Sequence, residues 1–239
     1  MIRIGLLGYS GRMGQAIAAD IAKRTNCQLT AGLVRDAKLM RTTETLLLST
    51  NVDDVIKASD VVIDFTLASA TPDFVSRATA LGKAYVAGTT GMDEKAVAVL
   101  KDAACKIPVL YAPNTSLSLA AMKQITALTA KLLRHFDYDV TIHDEHHRHK
   151  KEAPSGTAQA LGEAVLRGNN GAKIPTYTAI RAGEIVGNHD VVFAGNGEII
   201  RLHHSVTDRA IFARGAVDAA LWMHGKKVGF YGMDDVLGL

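Results

Sequence analysis

The chain has 239 residues, of which 48% are apolar and 21% are charged, and its net charge is +3. This size supports a hydrophobic core, and the basic residues do not form the long blocks expected of a protein that binds nucleic acid. The sequence has no apolar run as long as a membrane-spanning helix and no signal-peptide core at its amino terminus, so we expect a cytoplasmic protein without a membrane partner.

Only two cysteines occur, Cys27 and Cys105, and they lack the spacing of zinc ligands. This favours a reducing compartment and argues against a disulfide framework. We expect both thiols to be buried among apolar side chains.

The first half of the chain alternates short β-branched runs with stretches of helical period, which predicts a parallel sheet built from β-α-β units. Pro72 behind Thr71, and Asp93, are start signals for two of the helices. The segment 36–50 has a weak period and is predicted as loop. The predicted strands are residues 2–7, 28–34, 61–65, 84–86 and 109–112, and the predicted helices are 13–23, 72–81 and 94–104.

After Pro113 the pattern changes to a long helix, predicted over residues 117–136. Further strands are predicted at 138–143, 176–180, 184–194 and 198–206, with one helix after Pro154 and another over 209–222. This half is α+β in type. The apolar residues at helical spacing in the long helix are Leu119, Met122, Ile125, Leu128, Leu132 and Leu133.

Three glycines, Gly8, Gly11 and Gly14, follow the first predicted strand and open the first helix. In such a turn the backbone can approach a pyrophosphate, and the helix N-terminus supplies amide protons and partial positive charge. The spacing differs from the commoner Gly-x-Gly-x-x-Gly, so a turn without a ligand is the alternative. The position after strand one of a β-α-β unit favours a dinucleotide.

The second predicted strand ends in Val34, Arg35 and Asp36. An acidic residue here binds the ribose of NAD, whereas a positive one accommodates the 2′-phosphate of NADP. The planar donors of Arg35 suit a phosphate, which favours NADPH. NADH stays open because Asp36 could reach the ribose, and an ordinary solvated Arg35 is the other alternative.

Three more strand ends are expected at the same crevice, because ligands of open α/β sheets bind beyond the carboxyl ends of the strands. They are residues 64–66, 88–91 and 112–116. Each is rich in turn-forming residues and could be a simple turn. Their common placement at predicted strand ends favours a shared site.

Four of the nine histidines lie within residues 143–149. Arg148, Lys150 and Lys151 would repel a cation and no cysteine is near in sequence, so a zinc site is disfavoured and an anion is favoured. Residues 154–157 then open a helix whose hydroxyls and amides can bind a carboxylate. We predict a small substrate carrying carboxylates; a solvated basic loop before a capped helix is the alternative.

Together these motifs resemble the dihydrodipicolinate (4-hydroxy-tetrahydrodipicolinate) reductase family of lysine biosynthesis. The resemblance runs in the expected order from the first strand to the last residues. The matching runs are residues 11–14, 63–66, 88–91, 145–150, 153–158, 181–183, 186–189 and 234–237.

The resemblance implies an α/β fold, with a Rossmann dinucleotide-binding domain of residues 1–114 and 215–239. Residues 115–214 would form an α+β substrate domain whose sheet assembles a homotetramer. It also implies that His146 donates or accepts a proton, that Lys150 donates one, and that no metal takes part.

The same resemblance assigns the ligand contacts. The substrate carboxylates would be held by His147, Gly156 and Thr157. The residues that would contact NADPH or NADH are Gly8, Tyr9, Ser10, Gly11, Arg12, Met13, Arg35, Gly88, Thr89, Thr90, Ala112, Pro113, Asn114 and Thr115.

Three features depart from the family pattern. Val34 replaces a common acidic residue, Ser118 replaces a common glycine, and the segment 167–180 is short. Other nicotinamide enzymes fit less well: no tyrosine has a lysine four positions on, and neither cysteine is placed as a nucleophile. A dinucleotide sensor without catalysis and a metal enzyme using the histidines remain the rival hypotheses.

Overall fold

The computed structural model describes residues 1–238, which fold into two compact units. One comprises Met1–Ser116 with the chain from Ala210 on, and the other comprises Leu117–Arg209. The strands are β1 (Ile2–Leu7), β2 (Cys27–Leu33), β3 (Arg41–Thr42), β4 (Leu47–Ser49), β5 (Val61–Asp64), β6 (Ala84–Ala87), β7 (Pro108–Tyr111), β8 (Tyr138–His146), β9 (Thr176–Arg181), β10 (Gly187–Gly195), β11 (Ile199–Val206) and β12 (Gly229–Tyr231). The α-helices are α1 (Arg12–Ile21), α2 (Val52–Lys57), α3 (Thr71–Ala80), α4 (Glu94–Ala103), α5 (Leu117–Leu133), α6 (Gly156–Asn169), α7 (Ala210–Met223) and α8 (Met233–Val236).

The first unit is a doubly wound α/β sheet. Within residues 1–238 its strand order is β12-β7-β6-β5-β1-β2-β4-β3, and only the β3–β4 pair is antiparallel. Every residue of β5 and β6 is buried, as expected for central strands covered on both faces. This arrangement brings the carboxyl ends of the parallel strands to one edge, where a ligand of an open sheet binds.

Helix α7 returns the chain to this sheet after the second unit. The Thr115 hydroxyl donates a hydrogen bond to the carbonyl of Phe212, at 2.6 Å. A Cβ at Gly215 would lie only 1.8 Å from the Thr115 carbonyl oxygen, so the helix backbone can approach this turn only at glycine. The returning helix therefore fixes the loop that follows β7.

The second unit has a four-stranded sheet of order β11-β10-β8-β9, with only β8 and β9 parallel among the described strands. Helices α5 and α6 cover one face of it. The core beneath them contains Leu119, Ile142, Leu161 and Phe193. The other face is more open, and β9 is exposed over most of its length.

The sequence predictions hold best in the first half of the chain. The five strands predicted there are confirmed to within one residue at each end, and α1, α3 and α4 to within two. The prediction of loop for residues 36–50 is wrong, since β3 and β4 lie there. Helix α2, strand β12 and helix α8 were not predicted; all three are short, with too few turns or residues for a clear period.

Two predictions about apolar side chains are corrected. Cys27 is buried as expected, but Cys105 is exposed, so only one thiol is a core residue. The apolar residues predicted at helical spacing on α5 are not all buried: Leu119 and Met122 are buried, whereas Leu128 is 56% exposed and Leu132 is 65% exposed. Among residues 1–238 no helix has both the length and the apolar character needed to cross a bilayer.

Candidate active site

The turn that contains Gly8, Gly11 and Gly14 lies at the carboxyl end of β1, and two of its positions require glycine. Gly8 has φ +88°, in the left-handed region that favours glycine. A Cβ at Gly14 would lie 2.2 Å from the carbonyl oxygen of Gly8, so α1 can pack against the turn only without a side chain there. Because Gly11 is the N-cap of α1 and has no side chain, first-turn amides of α1 are open to an anionic ligand.

A pocket of about 340 Å³ opens next to this turn, within the first unit. All three strand ends singled out from the sequence contribute to it. Of the predicted dinucleotide contacts, Met13 and the residues of two strand ends line the pocket, whereas residues 8–12, Arg35 and the buried Ala112 do not. The lining residues are Met13, Phe65, Thr66, Gly88, Thr89, Thr90, Pro113, Asn114, Thr115 and Phe212.

A buried carboxylate organises the floor of this pocket. Asp64, at the end of β5, accepts hydrogen bonds from the Thr66 amide (2.8 Å) and from the hydroxyls of Thr71 (2.7 Å) and Tyr85 (2.7 Å). The Thr71 hydroxyl is also 3.3 Å from that of Thr89. Burial, followed by the charge of Asp64, raises the pKa of Tyr85 well above its ordinary value, so Tyr85 acts as a neutral donor. Asp64 thus holds Thr66 directly and Thr89 through Thr71, and Thr66 and Thr89 both line the pocket.

The end of β2 has some of the features that the NADPH hypothesis requires. Val34 is buried at 2% exposure, and Arg35 is exposed directly after it. The Asp36 carboxylate accepts a hydrogen bond from the Lys38 amide at 2.9 Å and caps a short 3-10 helix. Asp36 is therefore engaged locally, while the Arg35 guanidinium lies at the surface.

The second group of candidate residues lies at the end of β8. The sequence predicted that this strand stops at residue 143, but it continues to His146. Strand alternation then places Asp144 and His146 on the same face as the core residue Ile142. Asp144 and His146 are buried because they continue the side of β8 that faces the core. In a solvated basic loop, the alternative considered from the sequence, they would be exposed.

Asp144 is the centre of this group. It is 1% exposed, and His146 is 8% exposed. Asp144 Oδ1 lies 2.8 Å from His146 Nδ1 and 3.4 Å from His189 Nε2. Asp144 Oδ2 accepts hydrogen bonds from the Ser155 amide (2.8 Å) and from Arg181 Nη2 (2.9 Å). One carboxylate therefore connects two histidines, an arginine and the residue that caps α6.

These contacts keep the carboxylate ionised. Burial alone would raise the pKa of Asp144, but its interactions with His146, His189, Arg181 and the Ser155 amide outweigh burial and hold this pKa far below its usual range. The carboxylate is thus a fixed negative charge in the folded unit.

Asp144, His146 and His189 present potential metal-ligand atoms within 4.8 Å of one another. Two ligands about 2.0–2.1 Å from a tetrahedral zinc lie about 3.3 Å apart. The 2.8 Å between Asp144 Oδ1 and His146 Nδ1 is shorter, and the Arg181 guanidinium adds positive charge at the same carboxylate. The separations and the added charge fit a group of ion pairs around Asp144 better than a zinc site.

The remaining candidate residues surround this group within the second unit. His147 is half-buried, Gly156 is exposed and Thr157 is half-buried at the start of α6. Burial and the charge of Arg209 lower the pKa of His147, which favours its neutral form. Lys150 Nζ donates to Glu152 Oε1 at 2.5 Å, and this bond lowers the pKa of Glu152.

Sequence reasoning gave no role to three residues that the structure adds to the group: Asp144, Arg181 and His189. Ser155 was expected to offer its hydroxyl to a carboxylate, but this hydroxyl caps α6 and its amide donates to Asp144. Arg181 and His189 lie on β9 and β10, which pair on opposite sides of β8. A signal for Asp144 was present in the alternation of residues 142, 144 and 146. The other contacts depend on strand pairing, which a single sequence does not specify.

Two family models match nearly the whole chain. The dihydrodipicolinate reductase N-terminus model matches residues 2–115, and the C-terminus model matches residues 118–237. The chain belongs to the dihydrodipicolinate reductase family.

Individual members of the dihydrodipicolinate reductase family agree with this. The 4-hydroxy-tetrahydrodipicolinate reductases of Hahella chejuensis and Zymomonas mobilis are each 39% identical, covering 100% of this chain and 100% and 98% of their own lengths. A solved dihydrodipicolinate reductase from Paenisporosarcina sp. TG-14 superposes with a TM-score of 0.85 at 21% identity, covering 98% of this chain and 99% of the other; this shows the shared fold. As a family member, the protein is an oxidoreductase that uses a nicotinamide cofactor.

Proposed function

We propose how this chain carries out its family's reaction, the reduction of 4-hydroxy-tetrahydrodipicolinate to tetrahydrodipicolinate in the diaminopimelate route to lysine. The first unit binds the nicotinamide cofactor, and the second binds the substrate and supplies the proton. The observation that carries this assignment is the buried Asp144–His146 pair beside the helix start at Gly156.

The cofactor fits the first unit. The glycine turn leaves space and amides for a pyrophosphate, and the pocket at the strand ends is lined by neutral side chains. When bound, the reduced cofactor supplies the hydride. The electron pair of the conjugated ring moves to the imine nitrogen as the hydride adds, and a positioned acid must deliver a proton.

Lys150 donates this proton, and His146 donates or accepts a proton. His146 faces Asp144 with its Nδ1, which leaves Nε2 as the nitrogen for exchange with the substrate. The Lys150 ammonium is bound to the exposed carboxylate of Glu152, a partner that a substrate carboxylate can replace. Positive charge in this segment stabilises both the dianionic substrate and the negative charge that develops on it.

The substrate carboxylates bind His147, Gly156 and Thr157. A Cβ built at Gly156 meets nothing within 4 Å, so there is open space against the first turn of α6. Helix α6 has 14 residues, and its N-terminus carries partial positive charge. A neutral His147 still has one ring N–H to donate to a carboxylate.

NADPH is the preferred form in this proposal, because Arg35 is exposed at the end of β2 and Asp36 is held by the Lys38 amide. Replacing Arg35→Ala should raise the KM for NADPH about two- to fivefold, the scale of an exposed ion pair, and leave the KM for NADH unchanged. Steady-state assays with both cofactors measure this. Equal changes for NADH and NADPH would contradict a contact with the 2′-phosphate.

The homotetramer and the cytoplasmic location belong to the same proposal. The open face of the second sheet carries Ile180 at 52% exposure and Ile199 at 64%, which supports its use between copies. Sedimentation equilibrium measures the oligomer, and a monomer at micromolar concentration would contradict it. The reducing compartment inferred from the two unpaired cysteines supports the location.

The assigned reaction is tested with freshly prepared substrate in parallel assays with NADH and NADPH. We expect oxidation of the cofactor that depends on the substrate and persists in a strong chelator. Loss of activity in the chelator, restored by zinc, would instead support the metal enzyme. Absence of any substrate-dependent oxidation would refute the proposal.

A further inference from the structure

Building on the proposed role of His146, we infer that Asp144 is the positioning residue of the substrate site. Its Oδ1 holds His146 in the tautomer with the proton on Nδ1, and its Oδ2 holds the turn that opens α6. One carboxylate thereby sets the direction of proton transfer and the place where the substrate carboxylate binds.

The Oδ1 side faces the two histidines. His146 Nδ1 is 2.8 Å away and buried, and no other hydrogen-bond partner faces it within residues 1–238, so Asp144 Oδ1 is the acceptor available to its proton. His189 Nε2 is 3.4 Å from the same oxygen and 3.2 Å from the Ser155 hydroxyl. The His146 and His189 rings meet edge to face with centroids 5.1 Å apart, which restricts rotation of His146.

The Oδ2 side faces two donors that cannot act as acceptors. The Ser155 amide donates at 2.8 Å, and Arg181 Nη2 donates at 2.9 Å. Arg181 Nη2 also donates to the carbonyl of Glu152 at 2.6 Å, so the loop before α6 is fixed to the same point. Ser155 caps α6 by accepting from the Ala158 amide.

The other nitrogen of His146 is directed toward the start of β10. A Cβ at Gly187 would lie 3.1 Å from His146 Nε2, so glycine leaves room beside this nitrogen. With Nδ1 protonated and buried, Nε2 carries the lone pair that accepts a proton and passes it on. Asp144, the partner of the buried Nδ1, therefore determines which of the two ring nitrogens carries the proton and which one exchanges it.

An amide in place of the carboxylate cannot serve both sides. In Asp144→Asn the carbonyl oxygen has to face the Ser155 amide and Arg181, because a side-chain NH2 there would oppose two donors. The NH2 group then faces His146 Nδ1, which must become the acceptor, and the ring proton moves to Nε2. The variant keeps the size of the side chain and reverses the tautomer.

The experiment compares Asp144→Asn with Asp60→Asn. Asp60 is a well-bonded carboxylate in the first unit that accepts from the Arg3 backbone amide at 2.9 Å and from Arg3 Nη2 at 2.6 Å. We expect Asp144→Asn to lower kcat about 100- to 10,000-fold, the scale of losing the carboxylate that fixes the tautomer of a catalytic histidine, with the dissociation constant for NADPH unchanged. Asp60→Asn should leave kcat unchanged.

Nitrogen-15 NMR of the histidine rings provides the readout that a purely structural role would not move. In the unaltered protein His146, assigned by its loss in His146→Gln, should carry its proton on Nδ1, and in Asp144→Asn on Nε2. A neutral His146 ring in the unaltered protein with its proton on Nε2 and none on Nδ1 overturns the inference without any Asp144 variant, so it is testable even if that variant does not fold.

Failure of this inference and failure of the proposed function are distinguishable. Normal kcat in Asp144→Asn, together with a large loss in His146→Ala, rejects the positioning role and keeps the function of His146. Normal kcat in His146→Ala rejects the proposed function itself.

Discussion

The nucleotide pocket and the histidine group are built on opposite principles. The pocket lies at the carboxyl edge of a parallel sheet, next to the glycine turn, and is lined by neutral residues, among them Gly88 and four threonines. The histidine group lies on the core face of a mostly antiparallel sheet and concentrates Asp144, His146, Arg181 and His189 around one carboxylate. The first region binds by shape and amide donors, and the second holds charge.

The difference follows from what each region has to do. A pyrophosphate and a nicotinamide need close approach of the backbone, and glycine provides it because it has no side chain. A proton transfer needs a titratable group in a fixed orientation, which buried partners provide. Substitutions in the two regions should therefore change different kinetic constants.

The largest effect on the nucleotide region is expected from Gly14→Ala. The new Cβ would lie 2.2 Å from the Gly8 carbonyl and 2.6 Å from that of Tyr9, so α1 must shift away from the turn. Overpacking of this kind costs about 1–3 kcal/mol, and the same free energy lost from cofactor binding lowers the affinity for both NADH and NADPH about 5- to 150-fold. Fluorescence titration measures it. Thermal unfolding followed by circular dichroism is the control: the variant should stay folded at the assay temperature, and a collapse of its Tm would show general unfolding instead.

A smaller effect, on the substrate region, is expected from Gly156→Ala. The methyl group enters open space where the substrate carboxylate is proposed to bind, so the KM for substrate should rise about tenfold, equivalent to one lost hydrogen bond. Stability to urea should stay equal or increase, since alanine favours the helix. Gly232→Ala, where a Cβ also meets nothing within 4 Å, is the matched control. An unchanged KM would place the carboxylate elsewhere.

The smallest effect concerns pH and stability. Burial and the neighbouring His189 and His203 lower the pKa of His204 below its unfolded value near 6.5. The unfolded chain then binds more protons as pH falls through this range, so the contribution of His204 to stability is present above about 6.5 and decreases on acidification.

Thermal unfolding between pH 7.5 and 5.5 measures this dependence. His204→Gln should make the decrease in Tm over this pH range a few degrees smaller. His135→Gln, at an exposed position, should leave the decrease unchanged. The same slope in both variants would remove His204 as its cause.

The fold of the first unit and the meeting of its strand ends at one pocket were predictable because the signals are local. The glycines of the first turn and the polar ends of β5, β6 and β7 can be identified in order along the chain, and the structure brings these strand ends to one pocket. Phe212 was not predicted to line it, because α7 reaches the pocket from nearly a hundred residues later.

The second unit was less predictable. The histidine segment and the helix start at Gly156 were predicted from the sequence. The prediction ended strand β8 at residue 143, three residues too early, so it missed the burial of Asp144 and His146. Arg181 and His189 join Asp144 only through strand pairing across β8. Such contacts depend on tertiary register, which residue spacing in one chain does not determine.

We propose that proton transfer takes place at His146 and Lys150, whereas the cofactor binds at the glycine turn and the pocket beside it. This proposal is tested most directly by measuring kcat and the dissociation constant for NADPH in His146→Ala and Lys150→Ala. We expect kcat to fall about 100- to 10,000-fold in each variant and NADPH affinity to stay nearly unchanged. Equal losses of turnover and NADPH affinity in both variants would contradict it.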